Sequence, residues 1–593
     1  MDPLFTWPIR LEAAMRVTTN KTKNGNSYYI IRSIAGGSSE VVEKLGLEQD
    51  IRKKYNCDDV LAWAKARARK LTEDEKESKE KVMVAFEPHT LIPKGQQQAF
   101  DVGYLFLQQV YYELKLPLIC KAISKRHAFH YDLNEILSRL IYGRILFPSS
   151  KLSTYRQSTC LFEKSSFAYH DIPRALSVIA EEFDYIQERL YKYSSEVIPR
   201  KTGVLYYDCT NFYFEIEEES GMKMFGKSKE NRPNPIVQMG LFMDYSGLPL
   251  AITITEGNKN EQLTLQPLEK NIMSDFELSR FVVCTDAGLS STANRKFNNY
   301  GERSFVTTQS IKKLKKDRQA WCLNSQGWKL PGNDTLYDIS KIDDTEELKN
   351  RNYDKVYYKE TYIEGYDDER DIEFNQTLFV TYSLKYRDYL RHVRQGQLDR
   401  ACKLLDQGKE KIERKGMHDV RRFIRRTTKD SNGNEISNDS YDINQDAVAE
   451  EEKFDGFYAV CTNLDADVEE VIRVNKGRWE IEESFRIMKN DFDARPVYVQ
   501  RDDRIKAHFL TCFIALLVFR ILEKRLGGEY TCSGILSTLR DMKITKAADA
   551  GYLPSYTTTE LTDALHETAG FRTDYQILRN RHMHGVVRRS KGL

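Results

Sequence analysis

Apolar positions change period along this chain. From about residue 97 to 200 they recur at helical spacing: Phe106, Val110 and Leu114, then Leu133, Ile136, Leu137, Leu140 and Ile141, punctuated by Pro117 and Pro148. From Gly203 they gather into short continuous runs, the pattern of strands buried on both faces. Residues 204–208 form such a run and end in Asp208; residues 211–216 read as a second strand. Residues 236–243 and 248–255 predict a hairpin turning at 244–247. Residues 281–286 are again an apolar run closing on an aspartate, Asp286, and 303–307 a further strand. After a long interruption, 454–461 predicts a buried strand and 504–525 a long helix. The apolar centre of that helix contains Thr511 and is followed by Arg520, which points to a buried helix and to no membrane span.

The stretch Gly477-Arg478-Trp479-Glu480-Ile481-Glu482-Glu483-Ser484-Phe485-Arg486-Ile487-Met488-Lys489 carries two stripes if wound as one helix. At about 100° per residue, Arg478, Glu482 and Lys489 fall within ~40° of one another. Ile481, Phe485, Met488 and Phe492 form an apolar stripe beside them. The apolar stripe can lock the helix onto a core and hold the charged one at its rim. Arg478–Glu482 and Glu482–Arg486 are also i,i+4 pairs of the kind that decorate ordinary solvated helices.

These patterns divide the chain into a small α+β module over 1–90, a helical region over 91–200 that could bind DNA, a first core part over 201–309, an insertion over 310–452, a second core part over 453–527 and a basic region over 528–593. Within the insertion, the Asn- and Asp-rich residues 427–452 predict a loop. The chain has 593 residues, 40% of them hydrophobic, enough for several domains or one large core with insertions. Its net charge of +2 argues nothing about nucleic acid, but separate basic clusters at 65–70, 312–316, 421–426 and 579–591 suit a polyanionic partner. Ten cysteines are scattered without a Cys-x-x-Cys pair, and no signal peptide pattern opens the chain, so a cytoplasmic location is expected.

Asp208, Asp286 and Glu482 are the chemistry these elements present. Open α/β sheets bind ligands at their strand ends. Three converging carboxylates repel one another and raise each other's pKa. They suit one or two Mg²⁺ or Mn²⁺ ions, which prefer oxygen ligands and leave room for water and phosphate. Two such ions roughly 3.5–4 Å apart serve phosphoryl transfer.

Asp208-Cys209-Thr210, Glu256-Gly257-Asn258 and Asp286-Ala287-Gly288 resemble segments of bacterial insertion-sequence DDE transposases. So does the run from Arg478 through Glu482 and Arg486 to Lys489, which is similar to the Tyr-x2-Arg-x3-Glu-x6-Lys signature of the insertion sequence 4 superfamily. Arg495-Pro496-Val497-Tyr498 and Arg504-Ile505-Lys506-Ala507-His508 resemble that branch too, and the resemblance spans about residues 200–525. It implies an α/β fold: an RNase H-like catalytic core interrupted by a β-rich insertion and preceded by a mostly helical N-terminal region. It implies Asp208, Asp286 and Glu482 as catalytic, metal-binding residues, with two Mg²⁺ or Mn²⁺ ions. Arg478, Lys489 and Arg486 would bind DNA phosphate. The implied reaction cleaves the element's ends to free a 3′-hydroxyl, which then attacks target DNA, with no covalent protein–DNA intermediate. The implied partners are double-stranded DNA, as terminal inverted repeats and target, and a second copy of the chain, in a bacterial or archaeal nucleoid. The signature tyrosine is replaced by Asn475, so the aromatic contact expected there is missing.

Two further readings share these residues: an RNase H-like nuclease without strand transfer, and a non-catalytic DNA-binding protein descended from a transposase. His582-Met583-His584 fits an HUH nuclease, but no tyrosine follows Tyr575 and no strand pattern surrounds the pair. Trp321 and Trp328 suit either a core or stacking on an unpaired base. Thr210 and Asn258 suit either bonds to the carboxylates or local capping. His508, alone on an apolar helix, is read as structural.

Overall fold

The structure is a computed structural model that describes residues 15–22, 25–33, 39–79, 82–407, 419–429 and 435–593. The chain divides into two compact units, Met1–Ile92 with Ala547–Ala550, and Pro93–Lys546 with Gly551–Leu593.

The larger unit is built on a mixed sheet of ten strands. Its first five are β1 (Val204–Tyr213), β2 (Ile236–Asp244), β3 (Pro249–Glu256), β4 (Val282–Thr285) and β5 (Ser304–Thr308). They lie in the order β3-β2-β1-β4-β5; β1, β2 and β3 are antiparallel neighbours, while β4 and β5 run parallel to β1. This order fits an RNase H-like core. The expected break between 208 and 211 does not exist: β1 is one ten-residue strand, and Asp208 lies inside it. Polar Asp208, Thr210 and Asn211 mimic a turn in the sequence, yet a ladder of nine residue pairs with β2 holds them extended.

Five more strands continue the sheet beyond β5: β6 (Trp328–Leu330), β7 (Asn333–Tyr337), β8 (Tyr357–Ile363), β9 (Gln376–Tyr382) and β10 (Phe457–Thr462). β10 pairs antiparallel with β5 on one side and β9 on the other. The segment expected to be a loop is not one among its described residues. Ile424–Lys429 pairs antiparallel with Glu435–Ile443, and Gln445–Glu452 is a helix capped by the Asn444 side chain. The two paired segments are mostly polar in sequence and carry no apolar period, which hides them from hydrophobic patterning.

The face of β1 that carries Tyr206 and Phe212 is covered by helices, among them α1 (Leu133–Leu146), α2 (Val468–Lys476), α3 (Trp479–Arg486) and α4 (Asp502–Arg525). The face with Leu205, Tyr207 and Cys209 packs on a separate apolar cluster. Helix α4 is long and apolar enough to cross a membrane, and 94% of its most apolar window is buried in the helical layer. Phe509 on α4 meets Phe212 on β1 with ring centroids 4.7 Å apart.

The stretch expected as one helix is α3 followed by a π-helical turn, Ile487–Asp491. Ile481, Phe485, Met488 and Phe492 are all buried, as the apolar stripe requires. Gly477, between α2 and α3, lets this segment approach β1 closely: a Cβ there would lie 2.0 Å from the Tyr206 hydroxyl. Arg520 of α4 fastens the other side, pairing with Glu480 and Glu523 and donating to the Gly247 carbonyl in the β2–β3 turn. Gly477→Ala is therefore expected to destabilise the protein by about 1–3 kcal/mol through overpacking. Adding Tyr206→Phe should recover part of that loss, because the crowding hydroxyl makes no hydrogen bond among the described residues. Urea unfolding of the single and double variants checks this; no recovery would exclude the hydroxyl as the obstacle.

Candidate active site

Strand register brings two of the expected carboxylates together. Tyr206 pairs with Cys284 across the parallel β1–β4 ladder, so Asp208 and Asp286, each two residues further on, stand at the same level. Thr285 pairs with Thr307 across β4–β5, which puts Thr308 of β5 in the same row. Neighbouring strands are about 4.8 Å apart, so this row is narrow. Strand β4 stops at Thr285, so Asp208 faces the place where its parallel partner gives way to a turn. That turn is organised by Asp286, whose Oδ1 accepts from the backbone N–H groups of Gly288 and Leu289, both at 3.0 Å.

Burial pushes the Asp208 carboxyl up to about 6; the nearby Lys229 charge opposes this, and the Asp286 charge adds to it. Its Oδ1 accepts from the Cys209 N–H at 2.7 Å. Two carboxylates on adjacent strands, one held partly protonated by burial and by the other's charge, are a donor set that a divalent cation would complete.

Arg478 links the third carboxylate to this row. Its Nη1 donates to Thr308 Oγ1 at 3.2 Å, and its Nη2 lies 3.6 Å from Glu482 Oε1. Burial works against its charge, but Cys284, Tyr458, Asp286 and Asp208 outweigh that and hold it above the usual range. Glu482 has a side chain 64% exposed, open to a ligand. The oxygens of Asp208, Asp286 and Glu482 do not all come within 4.8 Å of one another; among the described residues, Asp563, His566 and Asp574 do. Arg572 already pairs with both aspartates of that second set.

Lys489 also reaches the site. It lies over the Phe212 ring at 5.5 Å and 3.7 Å from Glu230 Oε1. Burial and the Lys229 charge bring it down to about 8, while Asp208 opposes that. Arg486 is not brought here. It pairs with both oxygens of Glu483 and with Asp491, and it lines a cavity of about 680 Å³ with Trp479 and Arg520. Two nearby carboxylates outcompete the row for its guanidinium.

Four participants escaped sequence reasoning. Lys229 donates to the Cys209 carbonyl beside Asp208, and Asn211 anchors its loop by accepting from the Lys229 N–H and donating to the Lys227 carbonyl. Tyr458 of β10 shares a hydrogen bond with Thr308 at 2.7 Å and accepts from Asn475 Nδ2 at 2.9 Å. The residue at the signature tyrosine position thus engages a tyrosine hydroxyl from a neighbouring strand. Thr308 was legible as the third strand end of the row; Lys229 and Tyr458 carry no spacing signal.

Among the described residues no hydrogen bond joins Thr210 or Asn258 to these carboxylates. Trp328 is fully buried and donates to the Asn324 carbonyl; Trp321 is half-buried. His508 is buried against the Ala494 carbonyl, and His582 and His584 lie on a helix, Asn580–Ser590. A cavity of about 360 Å³ borders the row at Ala287, Thr308 and Tyr458, with Lys312, Arg394 and Arg422 in its walls.

A family model described as the transposase DDE domain matches residues 220–518. That is half of the chain. The protein belongs to this family and is a DDE-type DNA transposase, a polynucleotidyl transferase. The matched range includes Asp286, Arg478, Glu482 and Lys489 and begins after Asp208. Solved structures similar to the chain include a piggyBac transposase synaptic complex with hairpin DNA, at 9% identity over 74% of this chain and 78% of that one, with a TM-score of 0.34. Another is a Mos1 transposase paired-end complex with the left transposon end, at 12% identity over 42% and 68%, with a TM-score of 0.13. No curated protein matches the sequence. The family assignment rests on the domain match.

Asp208 yields a pH-dependent prediction. A carboxyl raised in the fold binds protons that the unfolded chain has released, so stability falls as pH rises through the interval from about 4 to 6. In metal-free buffer Asp208→Asn should melt higher than wild type at pH 7–8, by on the order of 1–2 kcal/mol, and the gap should close near pH 4. Added Mg²⁺ should raise the melting temperature of wild type and not of the variant. A pH-independent gap would exclude the proposed burial penalty.

Proposed function

We propose that Asp208, Asp286 and Glu482 are the catalytic carboxylates and together hold Mg²⁺ or Mn²⁺, two ions in the reacting complex. The observation that carries this is the Asp208–Asp286 row, with Arg478 bridging it through Thr308 to Glu482. All-oxygen donors suit a hard cation. When bound, such ions polarise the scissile phosphate and lower the pKa of an attacking water or hydroxyl.

The protein's own groups supply the rest. Arg478 presents a planar fork to a phosphate, and Thr308 fixes the orientation of that fork. Lys489 and Lys229 add point charges on the Asp208 side of the row, which favour a polyanion there. Arg486, neutralised by Glu483 and Asp491, has no part in phosphate binding in this reading. The core is of RNase H type, and residues 310–452 are the β-rich insertion characteristic of the insertion sequence 4 branch. The reaction is cleavage at the ends of a mobile element and transfer of the freed 3′-hydroxyl into target DNA. Joining two ends requires two sites, so the protein acts as a dimer on DNA.

The test is Mg²⁺-dependent cleavage of DNA carrying the ends that flank this gene. Wild type should cut at the boundary, and Glu482→Ala should reduce cutting by at least about a thousandfold while still binding the DNA. Equal cutting by both would remove Glu482 from the site. Glu482-dependent nicking at random positions, without joining, would favour the nuclease reading.

A further inference from the structure

In the smaller unit three antiparallel strands, Arg16–Thr22, Gly25–Ser33 and Ser39–Leu47, form one sheet. One face is covered. Met15, Val17, Tyr28 and Ile30 pack there with Ile51, Val60, Ala64 and Ala68 of the helices Glu48–Tyr55 and Val60–Lys79. The covered side also takes the unit's acidic strand positions: Glu43, opposite Ile30, pairs with Arg67 of the second helix, and Glu40 lies opposite Arg32.

The other face carries a different chemistry, ordered by the register. Ile31 pairs with Arg16 on one side and Val41 on the other, and Tyr29 with Thr18 and Lys44. Asn20 follows on the first strand. Arg16, Asn20 and Lys44 are exposed, and Val41 is 56% exposed. Lys44 Nζ stands 6.0 Å from the centre of the Tyr29 ring. Among the described residues no carboxylate shares this face, and neither Arg16 nor Lys44 has an ion-pair partner. A merely solvated antiparallel face has no need to exclude one sign of charge or to expose Val41 beside the half-buried Ile31.

We propose that this open face is a binding surface for double-stranded DNA that reads the major groove at the element's ends. The dimensions agree: three strands span about 10 Å, which suits a major groove about 12 Å wide and exceeds a minor groove of about 6 Å. Arg16 and Lys44 supply charge for the phosphates, Asn20 and Thr18 supply hydrogen-bonding groups for base edges, and Val41 and Ile31 supply apolar surface for thymine methyl groups. The inference rests on the reading that the protein acts on element ends.

The test uses the full-length protein and short duplexes cut from those ends, with an unrelated duplex of equal length as competitor. Arg16→Glu with Lys44→Glu should weaken end binding about tenfold or more. Asn20→Ala should shrink the preference for ends over the competitor by about fivefold to tenfold. Lys53→Glu with Lys54→Glu, an equal charge change on an exposed stretch of the first helix, should alter binding less than about threefold. Unchanged end binding in the sheet variants, or an equal loss in the helix variant, overturns the proposal. Cleavage scored in parallel separates the two readings. If wild type cuts the ends and the sheet variants bind and cut equally well, only the sheet assignment fails. If wild type neither binds nor cuts them, the end-cleavage reading fails and takes this one with it.

Discussion

Everything at the site depends on how near the Arg478 segment can come to strand β1. Arg478 pairs with Glu482 one turn along its own segment, and the absence of a side chain at position 477, against the Tyr206 hydroxyl, lets that segment come close enough for Arg478 to reach Thr308 as well. The approach is enforced from behind. Four apolar side chains on α3 and the π turn are buried, and Arg520 ties Glu480 to the β2–β3 turn. Buried ion pairs contribute little net stability, but this one fixes where a helix lies. The geometry of the carboxylates is thus set by packing.

Electrostatics at the row is left unfinished by the protein alone. Burial raises the Asp208 carboxyl to about 6 even though Lys229 and Arg478 favour its charge, and burial together with the Lys229 charge lowers Lys489 to about 8 nearby. Groups of both signs thus have their charged forms penalised by burial within one small volume. A cation beside the acid or a phosphate beside the base would offset that penalty. This is how perturbed ionisation marks a reacting site in a chain whose net charge is only +2.

Much of this was legible in the sequence where hydrophobic period and chemistry coincide. Apolar runs reaching Asp208 and Asp286, and the two stripes around Glu482, located the three carboxylates and their basic neighbours. The failures have one cause: hydrogen bonding that leaves no periodic trace. Strand β1 was read as broken because its polar residues sit in the middle of a fully paired strand. Residues 427–452 were read as a loop because their polar residues carry no apolar period, although the described ones pair as strands and wind into a helix. Arg486 was assigned to phosphate because pattern cannot show that Glu483 and Asp491 already claim it. Lys229 and Tyr458 come from a loop and from a strand distant in sequence, and only three-dimensional register delivers them.

The chain leaves the core at the end of β5 and re-enters on β10, its direct antiparallel neighbour. Topologically the whole intervening segment is the loop of a single hairpin, roughly 150 residues long, and each doubling of such a loop adds only about 0.6 kcal/mol of closure entropy. The burden falls on kinetics. Glu482 lies beyond that loop and Asp208 before it, so the pairing of β10 with β5 must span a large sequence separation before the Glu482 segment is brought beside the strands that carry the two aspartates. A partly made chain emerging from the ribosome therefore presents both aspartates before the strand that closes this hairpin, and Glu482 beyond it, have been made.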